Sequence, residues 1–302
     1  MNSSNPYLRL QRIRAALRSL DLRPSRGMGQ NFLTSPQVLE TIVSAAQLQD
    51  HDLVLEIGPG LGVLTWELLS HVAQVVSVEL DKRLAARLRE EFSEATNLTI
   101  VQGDILDLAP HTLVPQMPSE QTAAYKVVAN LPYAITSPVL RHLLEAEYRP
   151  DLIVVLVQWE VAKRITAQPG ALSVLAHSVQ LYAEPEIIAR VASDSFFPEP
   201  EVDSAVLRLR VRRHPALSID QVDQLMRVIK AGFLHSRKKL LNALPGGFAA
   251  FGMRIAKEQI AGVLEAAQVD PGRRAETVTL EEWVSIYRRV YEILGEEAHS
   301  KQ

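Results

Sequence analysis

The feature that most restricts this chain is a short apolar run that ends in three alternate glycines: Leu53-Val54-Leu55-Glu56-Ile57, then Gly58-Pro59-Gly60-Leu61-Gly62. A run that short and that apolar has no polar face to offer water, so it reads as a strand covered on both sides, the habit of parallel sheets. The glycines let the backbone turn sharply and lie close to a ligand. The same alternation continues downstream. Val75 to Val78, Leu98 to Val101, Lys126 to Ala129 and Asp151 to Gln158 read as strands. Helical patterns separate them at Leu61 to Leu69, Lys82 to Glu94 and Pro138 to Ala146. Strands alternating with helices imply an α/β domain whose sheet is covered on both faces.

Upstream, Pro36 to Ala46 predicts a helix capped by Ser35. Residues 7–20 intersperse Leu8, Leu10, Ile13, Leu17 and Leu20 with arginines, the pattern of a basic amphipathic helix. Residues 186–192 and 204–212 read as a last pair of strands, and 109–124, rich in Pro, Gln and Thr, as a surface loop. Beyond Pro215 only helical patterns remain, over 218–233, 237–244, 255–267 and 279–294. The expected organisation is a basic arm over 1–26, an α/β domain over 27–212 and a small all-helical domain over 213–302.

The charge supports this division. The net charge is −3, but residues 1–26 carry +5, residues 213–302 carry +2 and the stretch between them −10. An acidic body between basic ends can hold a polyanion at its edges. There are no cysteines, and the eight histidines form no His-x-His or His-x-x-x-His pair, so no disulfide, thiolate chemistry or metal site is expected. No apolar run reaches ~18 residues and no signal-peptide core follows the N-terminal arginines, so a cytoplasmic protein is expected.

Glu79 closes the second strand about 20 residues beyond Gly58, where a carboxylate can accept both ribose hydroxyls of an adenosine ligand. Asp104 ends the third strand and can accept from an adenine amine. A pyrophosphate site usually spaces its glycines Gly-x-Gly-x-x-Gly; here the third comes one residue early and Glu56 precedes the loop. A carboxylate repels a pyrophosphate but suits the ammonium or sulfonium of S-adenosylmethionine. The loop glycines Gly58, Gly60 and Gly62, with Glu56, Glu79 and Asp104, therefore point to S-adenosyl-L-methionine.

The fourth strand ends in Asn130-Leu131-Pro132-Tyr133. The lone pair of an adenine N6 amine is delocalised into the ring. Hydrogen bonds from that amine to Asn130 and to the Leu131 carbonyl favour a pyramidal nitrogen aligned for in-line attack. Pro132 interrupts the ladder, and Tyr133 offers a face for a flipped base. Phe196, opening Phe196-Phe197-Pro198-Glu199-Pro200-Glu201-Val202-Asp203-Ser204, is expected to cover the base's other face.

These strings, with Gly29-Gln30-Asn31-Phe32-Leu33, Gln158–Arg164 and Phe233 to Asn242, closely resemble the KsgA-type small-subunit ribosomal RNA adenine dimethyltransferases. The resemblance implies a Rossmann-like S-adenosylmethionine-dependent methyltransferase domain with a small C-terminal helical domain. It also implies transfer of two methyl groups to each of two adjacent adenosines near the 3′ end of small-subunit rRNA, on an assembling 30S particle. By position, Asn31, Leu33, Gly58, Glu79, Asp104 and Asn130 would contact the cofactor, with Gln30, Leu80 and Ile105 beside them. Arg9, Arg12, Arg14, Arg237, Lys238 and Lys239 are the expected RNA contacts, and a monomer is expected. The chain departs from its relatives at Arg26-Gly27-Met28, less basic here, and at Ser236 and Lys239, which replace an arginine and a threonine.

Three other readings share part of this evidence. The large-subunit adenine methyltransferases of macrolide resistance have nearly the same catalytic strings, and only the Phe233–Asn242 segment separates them. An RNA-binding assembly factor would not need the intact Asn130–Tyr133 string. A DNA adenine methyltransferase would need a target-reading insert.

Overall fold

The computed structural model describes residues 5–22, 31–113, 125–213 and 219–299. The chain divides into two compact units: Met1–Lys163 with Tyr182–Arg213, and Arg164–Leu181 with His214–Gln302.

The first unit contains the strands β1 (Phe32–Leu33), β2 (Leu53–Ile57), β3 (Gln74–Glu79), β4 (Leu98–Gln102), β5 (Tyr125–Asn130), β6 (Leu152–Gln158), β7 (Ala183–Val191), β8 (Phe196–Phe197) and β9 (Ser204–Val211). Seven of them form one sheet in the order β4-β3-β2-β5-β6-β9-β7. Neighbours from β4 to β6 are parallel, and β9 is antiparallel to both β6 and β7. All five residues of β2 are buried, Glu56 included, which is why its sequence has no polar face. The strand order reverses between β2 and β5. The loops leaving their carboxyl ends diverge there and open a crevice, the usual ligand site of such sheets. The glycine loop leaves β2 and Asn130–Tyr133 leaves β5, so both arrive at this crevice.

The strand expected from residue 186 begins at Ala183 and includes Pro185. It lies at the sheet edge, where a missing N–H breaks no inner ladder and where Glu184, Glu186 and Arg190 face solvent. The two-residue ladder of β1 and β8, which pairs Phe32 with Phe197 and Leu33 with Phe196, was not expected, because two residues carry no periodicity. It joins the chain before the helix Pro36–Ala46 to the Phe196–Ser204 segment, and Thr34 N–H adds a bond to the Ser195 carbonyl at 2.9 Å. That helix is capped by Ser35 as expected.

Residues 5–22 of the basic N-terminal segment pack into this first unit. The Tyr7 ring stacks on Phe92 at 5.4 Å, and Asn5 Nδ2 donates to the Val63 carbonyl at 2.9 Å. In the helix Leu10–Ser19, Ile13, Ala16 and Leu17 face a cluster with Phe32, Leu61 and Leu84, leaving Arg9, Arg14 and Arg18 exposed on the other side. Of the expected 109–124 loop, Pro110–Leu113 forms one helical turn, and 114–124 lies outside the described residues.

The second unit is helical: Val174–Gln180, Ile219–Leu234, Leu240–Ala250, Lys257–Ala266 and Leu280–His299. Leu240–Ala250 runs past Pro245, where the sequence predicted its end. The proline, sixth in the helix, sacrifices one backbone bond in the second turn, while Ala243, Leu244, Gly247 and Phe248 keep a buried face. Residues 164–181, expected in the α/β domain, group with these helices. The reason is His177, buried edge-on against Phe233 at 5.8 Å and Trp283 at 6.3 Å and lowered by that burial to about 4, so it stays neutral. Among the described residues, no helix is long and apolar enough to cross a membrane.

Candidate functional site

The glycine loop wraps the floor of the crevice. Gly60 has φ +60° and Gly62 φ +86°, conformations that L side chains rarely adopt. A methyl group on Gly62 would come within 2.6 Å of the Phe92 ring, so the loop is fixed by steric fit as well as by torsion. Gly60 N–H donates to Glu79 Oε2 at 3.0 Å, and Asp81 N–H donates to Glu79 Oε1 at 2.9 Å. Glu79 is thereby held at the end of β3 beside the loop.

Glu56 is deeper, 1% exposed. Its Oε2 accepts from Ser77 Oγ at 2.6 Å and from Thr65 Oγ1 at 2.8 Å, whereas Oε1 is buried without a partner. Burial pushes its carboxyl up to about 7, against the two hydroxyl bonds and with help from the nearby Glu79 charge; burial raises Glu79 too. Both carboxylates line one cavity with Asn31, Leu33, Gly58 and Asn130, and no lysine, arginine or histidine lines it among the described residues. A buried carboxylate oxygen left unpaired in a cavity with no cation is a site for a cationic ligand. S-adenosylmethionine fits it: a positive sulfonium and ammonium for the carboxylates, and a ribose within reach of Glu79.

This has a pH signature. A raised carboxyl pKa makes the protein alone less stable as pH climbs from the ordinary carboxylate range to about 7. A cation against Oε1 favours the ionised form, so cofactor binding expels a proton below about 7. Cofactor affinity is expected to rise with pH over ~5.5 to ~7 and level off above, and Glu56→Gln to flatten that rise. Calorimetric titration of both proteins in buffers of different ionisation heat reads affinity and proton release together.

Asn130 ends β5 and donates its Nδ2 to the Asn31 carbonyl at 3.0 Å, which leaves Oδ1 as the end able to accept. Leu131 is buried, and its N–H donates to the Leu156 carbonyl at 3.3 Å. Pro132 lines the cavity. Tyr133 is half-buried at the start of a short 3-10 turn, its hydroxyl 2.7 Å from Ser204 Oγ. Ser204 is fully buried, so this bond fixes the direction of the Tyr133 ring.

The crevice thus gathers Asn31, Leu33, Glu56, Gly58, Gly60, Glu79, Asn130 and Pro132. Other expected residues lie elsewhere. Leu80 is 61% exposed beside Glu79, Ile105 is buried, and Asp104 Oδ1 accepts from Leu106 N–H at 2.9 Å; none of the three lines the cavity. Gly62 packs on Phe92. Gln30 lies outside the described residues. Phe196 does not line the cavity either: it is 4% exposed and packs with Leu33, Val191 and Val206, because the period-2 alternation of β8 turns it inward and leaves Phe197 half-exposed. Arg12 pairs with Glu91 and lies over the Tyr7 ring at 4.4 Å, while Arg14 lies over Phe197 at 5.1 Å. Arg237, Lys238 and Lys239 are exposed just before the helix Leu240–Ala250. Sequence reasoning missed Ser77, Thr65 and Ser204. Ser77 gives a signal, a lone hydroxyl among valines in β3, and Ser204 closes the Phe196–Ser204 segment.

A mostly parallel sheet with a reversed strand order, a glycine loop, two buried carboxylates and an Asn-Leu-Pro-Tyr turn at one crevice define an amine-directed α/β methyltransferase. The ribosomal RNA adenine dimethylase model matches residues 23–286, and the chain belongs to that family. It is 43% identical to a ribosomal RNA small subunit methyltransferase A of Dehalococcoides mccartyi over 87% of each chain. It is 41% identical to the protein of that name from Moorella thermoacetica, over 91% of this chain and 95% of that one. Among solved structures, the 23S rRNA methyltransferase ErmE matches with a TM-score of 0.66 and 29% identity, over 86% of this chain and all of the other. A dimethyladenosine transferase from Plasmodium falciparum, at TM-score 0.69 and 24% identity over 84% of this chain and 95% of that one, shares the fold.

Proposed function

We propose that this chain transfers methyl groups from S-adenosyl-L-methionine to the N6 amines of two adjacent adenosines near the 3′ end of small-subunit rRNA, two to each. It works as a monomer in the cytoplasm, on an assembling 30S particle. The observation that carries this reading is the placement of Asn130–Tyr133 beside a cavity with two buried carboxylates. The cofactor supplies an electrophilic methyl on a good leaving group, so the protein's task is to align a weak nucleophile, and no metal is needed. Asn130 Oδ1 and the Leu131 carbonyl accept from the amine, Tyr133 supports the base, and Glu56 and Glu79 hold the cofactor's cationic and ribose ends. Leu80, Asp104 and Ile105 border the adenine, and the exposed Arg9, Arg14 and Arg237–Lys239 meet phosphates.

The second reading, a large-subunit substrate, is favoured by the likeness to ErmE. The test supplies labelled donor to small subunits, large subunits and naked rRNA in parallel, then digests the product for mass spectrometry. N6,N6-dimethyladenosine in small-subunit rRNA is expected. Only the monomethyl form would overturn dimethylation, and label confined to large subunits would establish the second reading.

A further inference from the structure

Trp159 opens the helix Trp159–Ile165 at the carboxyl end of β6, and its N–H donates to the Asp203 carbonyl at 2.9 Å. The register of the neighbouring strands gathers more at this end of the sheet. Gln158 pairs with Ser204 across β6 and β9, and Arg190 pairs with Ala205 across β7 and β9. Trp159, Arg190 and Asp203 therefore stand beside Ser204, the residue that holds the Tyr133 hydroxyl. The Arg190 guanidinium lies over the indole, 4.9 Å from its centroid, tied by Asp203 Oδ2 at 2.7 Å. The Lys163 ammonium is 5.8 Å from the same ring, paired with Glu160 at 2.7 Å. The Arg190 side chain is 58% exposed and the indole is half-buried.

None of these groups touches the cavity, so cofactor binding does not account for them. Exposed ion pairs and cation–π contacts add little stability, so folding does not either. Their chemistry suits a strand of RNA: bases stack on aromatic rings and guanidinium planes, and phosphates take the remaining donors. The middle of the chain carries a net charge of −10, and Arg190 and Lys163, each held by a carboxylate, bring two cations to this end of the sheet where a phosphate can exchange for those partners. A base extruded toward Tyr133 leaves its neighbour in the strand unstacked.

We propose that Trp159 and Arg190 form a subsite for the nucleotide flanking the target adenosine. The base stacks on the indole–guanidinium pair, and the phosphate meets Arg190 and Lys163. This rests on the RNA-methylating reading above. The experiment uses three short RNAs: the natural target, and two in which the nucleotide on one side or the other of the target adenosine is abasic. RNA dissociation constants and turnover are measured for the wild type, Trp159→Ala, Trp159→Phe and Arg190→Ala. For the wild type, one abasic RNA is expected to bind about tenfold more weakly than the natural one. Trp159→Ala should show that loss on the natural RNA and no further loss on the abasic one, with cofactor affinity unchanged; Trp159→Phe should recover most of it. Arg190→Ala, an exposed change, should weaken all three RNAs and reduce the salt dependence of binding. Equal response of the wild type and Trp159→Ala to both abasic RNAs overturns the subsite, and if Trp159→Ala fails to fold, an unaltered Arg190→Ala does so. Binding is read apart from turnover, so a chain that binds without methylating fails the preceding reading and leaves this comparison intact.

Discussion

Replacing Asn130 with alanine is expected to lower turnover about 10²–10³-fold at saturating cofactor while RNA affinity stays near that of the wild type. The amide has two ends with different duties. Nδ2 is committed to the Asn31 carbonyl at 3.0 Å, so the side chain arrives with Oδ1 already oriented, and no ordering remains to be done when the amine appears. A hydrogen bond that grows stronger as the nitrogen pyramidalises acts on the barrier more than on binding. The loss should therefore fall on kcat, with the RNA dissociation constant nearly unmoved. Single-turnover rates at several cofactor concentrations, together with RNA titrations, make the check. If activity is restored by more cofactor, Asn130 serves the cofactor alone, and the alignment role is lost.

Gly247→Ala is expected to be the most damaging single-methyl change in the helical unit, costing about 3 kcal/mol or more. A methyl group on Gly247 would sit 2.0 Å from the Ala231 carbonyl oxygen, so the helices Leu240–Ala250 and Ile219–Leu234 meet backbone to backbone there. The obstacle is main chain in a regular helix, with no rotamer to swing aside, and relief requires the two helices to separate. Gly262→Ala is the control. It lies in the helix Lys257–Ala266 with nothing within 4 Å, so the same change should stabilise by roughly 0.5–1 kcal/mol through helix propensity. Urea unfolding of the three proteins compares them directly. Equal midpoints for Gly247→Ala and the wild type would contradict the close helix approach.

The two predictions differ in how far the sequence alone leads to them. Asn130 and the glycine loop are legible because a strand end followed by special backbone residues is a local pattern, and the covered sheet makes its strands apolar throughout. Glu56 was legible as a residue facing a cation, but its unpaired Oε1 was not, since that depends on Ser77 and Thr65 occupying the other oxygen. Gly247 carries no local sign at all. A glycine after Pro245 and Gly246 reads as a helix breaker, and only the neighbouring helix reveals why it must be small. Phe196 is the opposite case: its string is local, but which of two adjacent phenylalanines turns inward is set by a two-residue ladder with a partner far away in sequence.

The interleaving of the two units bears on when each can form. The helix Val174–Gln180 leaves the ribosome before β9 has been made, and its packing partner Ile219–Leu234 comes later still. The sheet can close once Val211 is available, but Ala176, His177 and Val179 wait as an uncovered apolar turn until Ile219–Leu234 follows. A chain ending at Arg213 would hold them in that waiting state permanently, with an aggregation-prone loop in an otherwise complete sheet. In evolutionary terms the C-terminal helices are not a detachable cassette. A lineage that exchanged them for another set would have to exchange residues 164–181 in the same event.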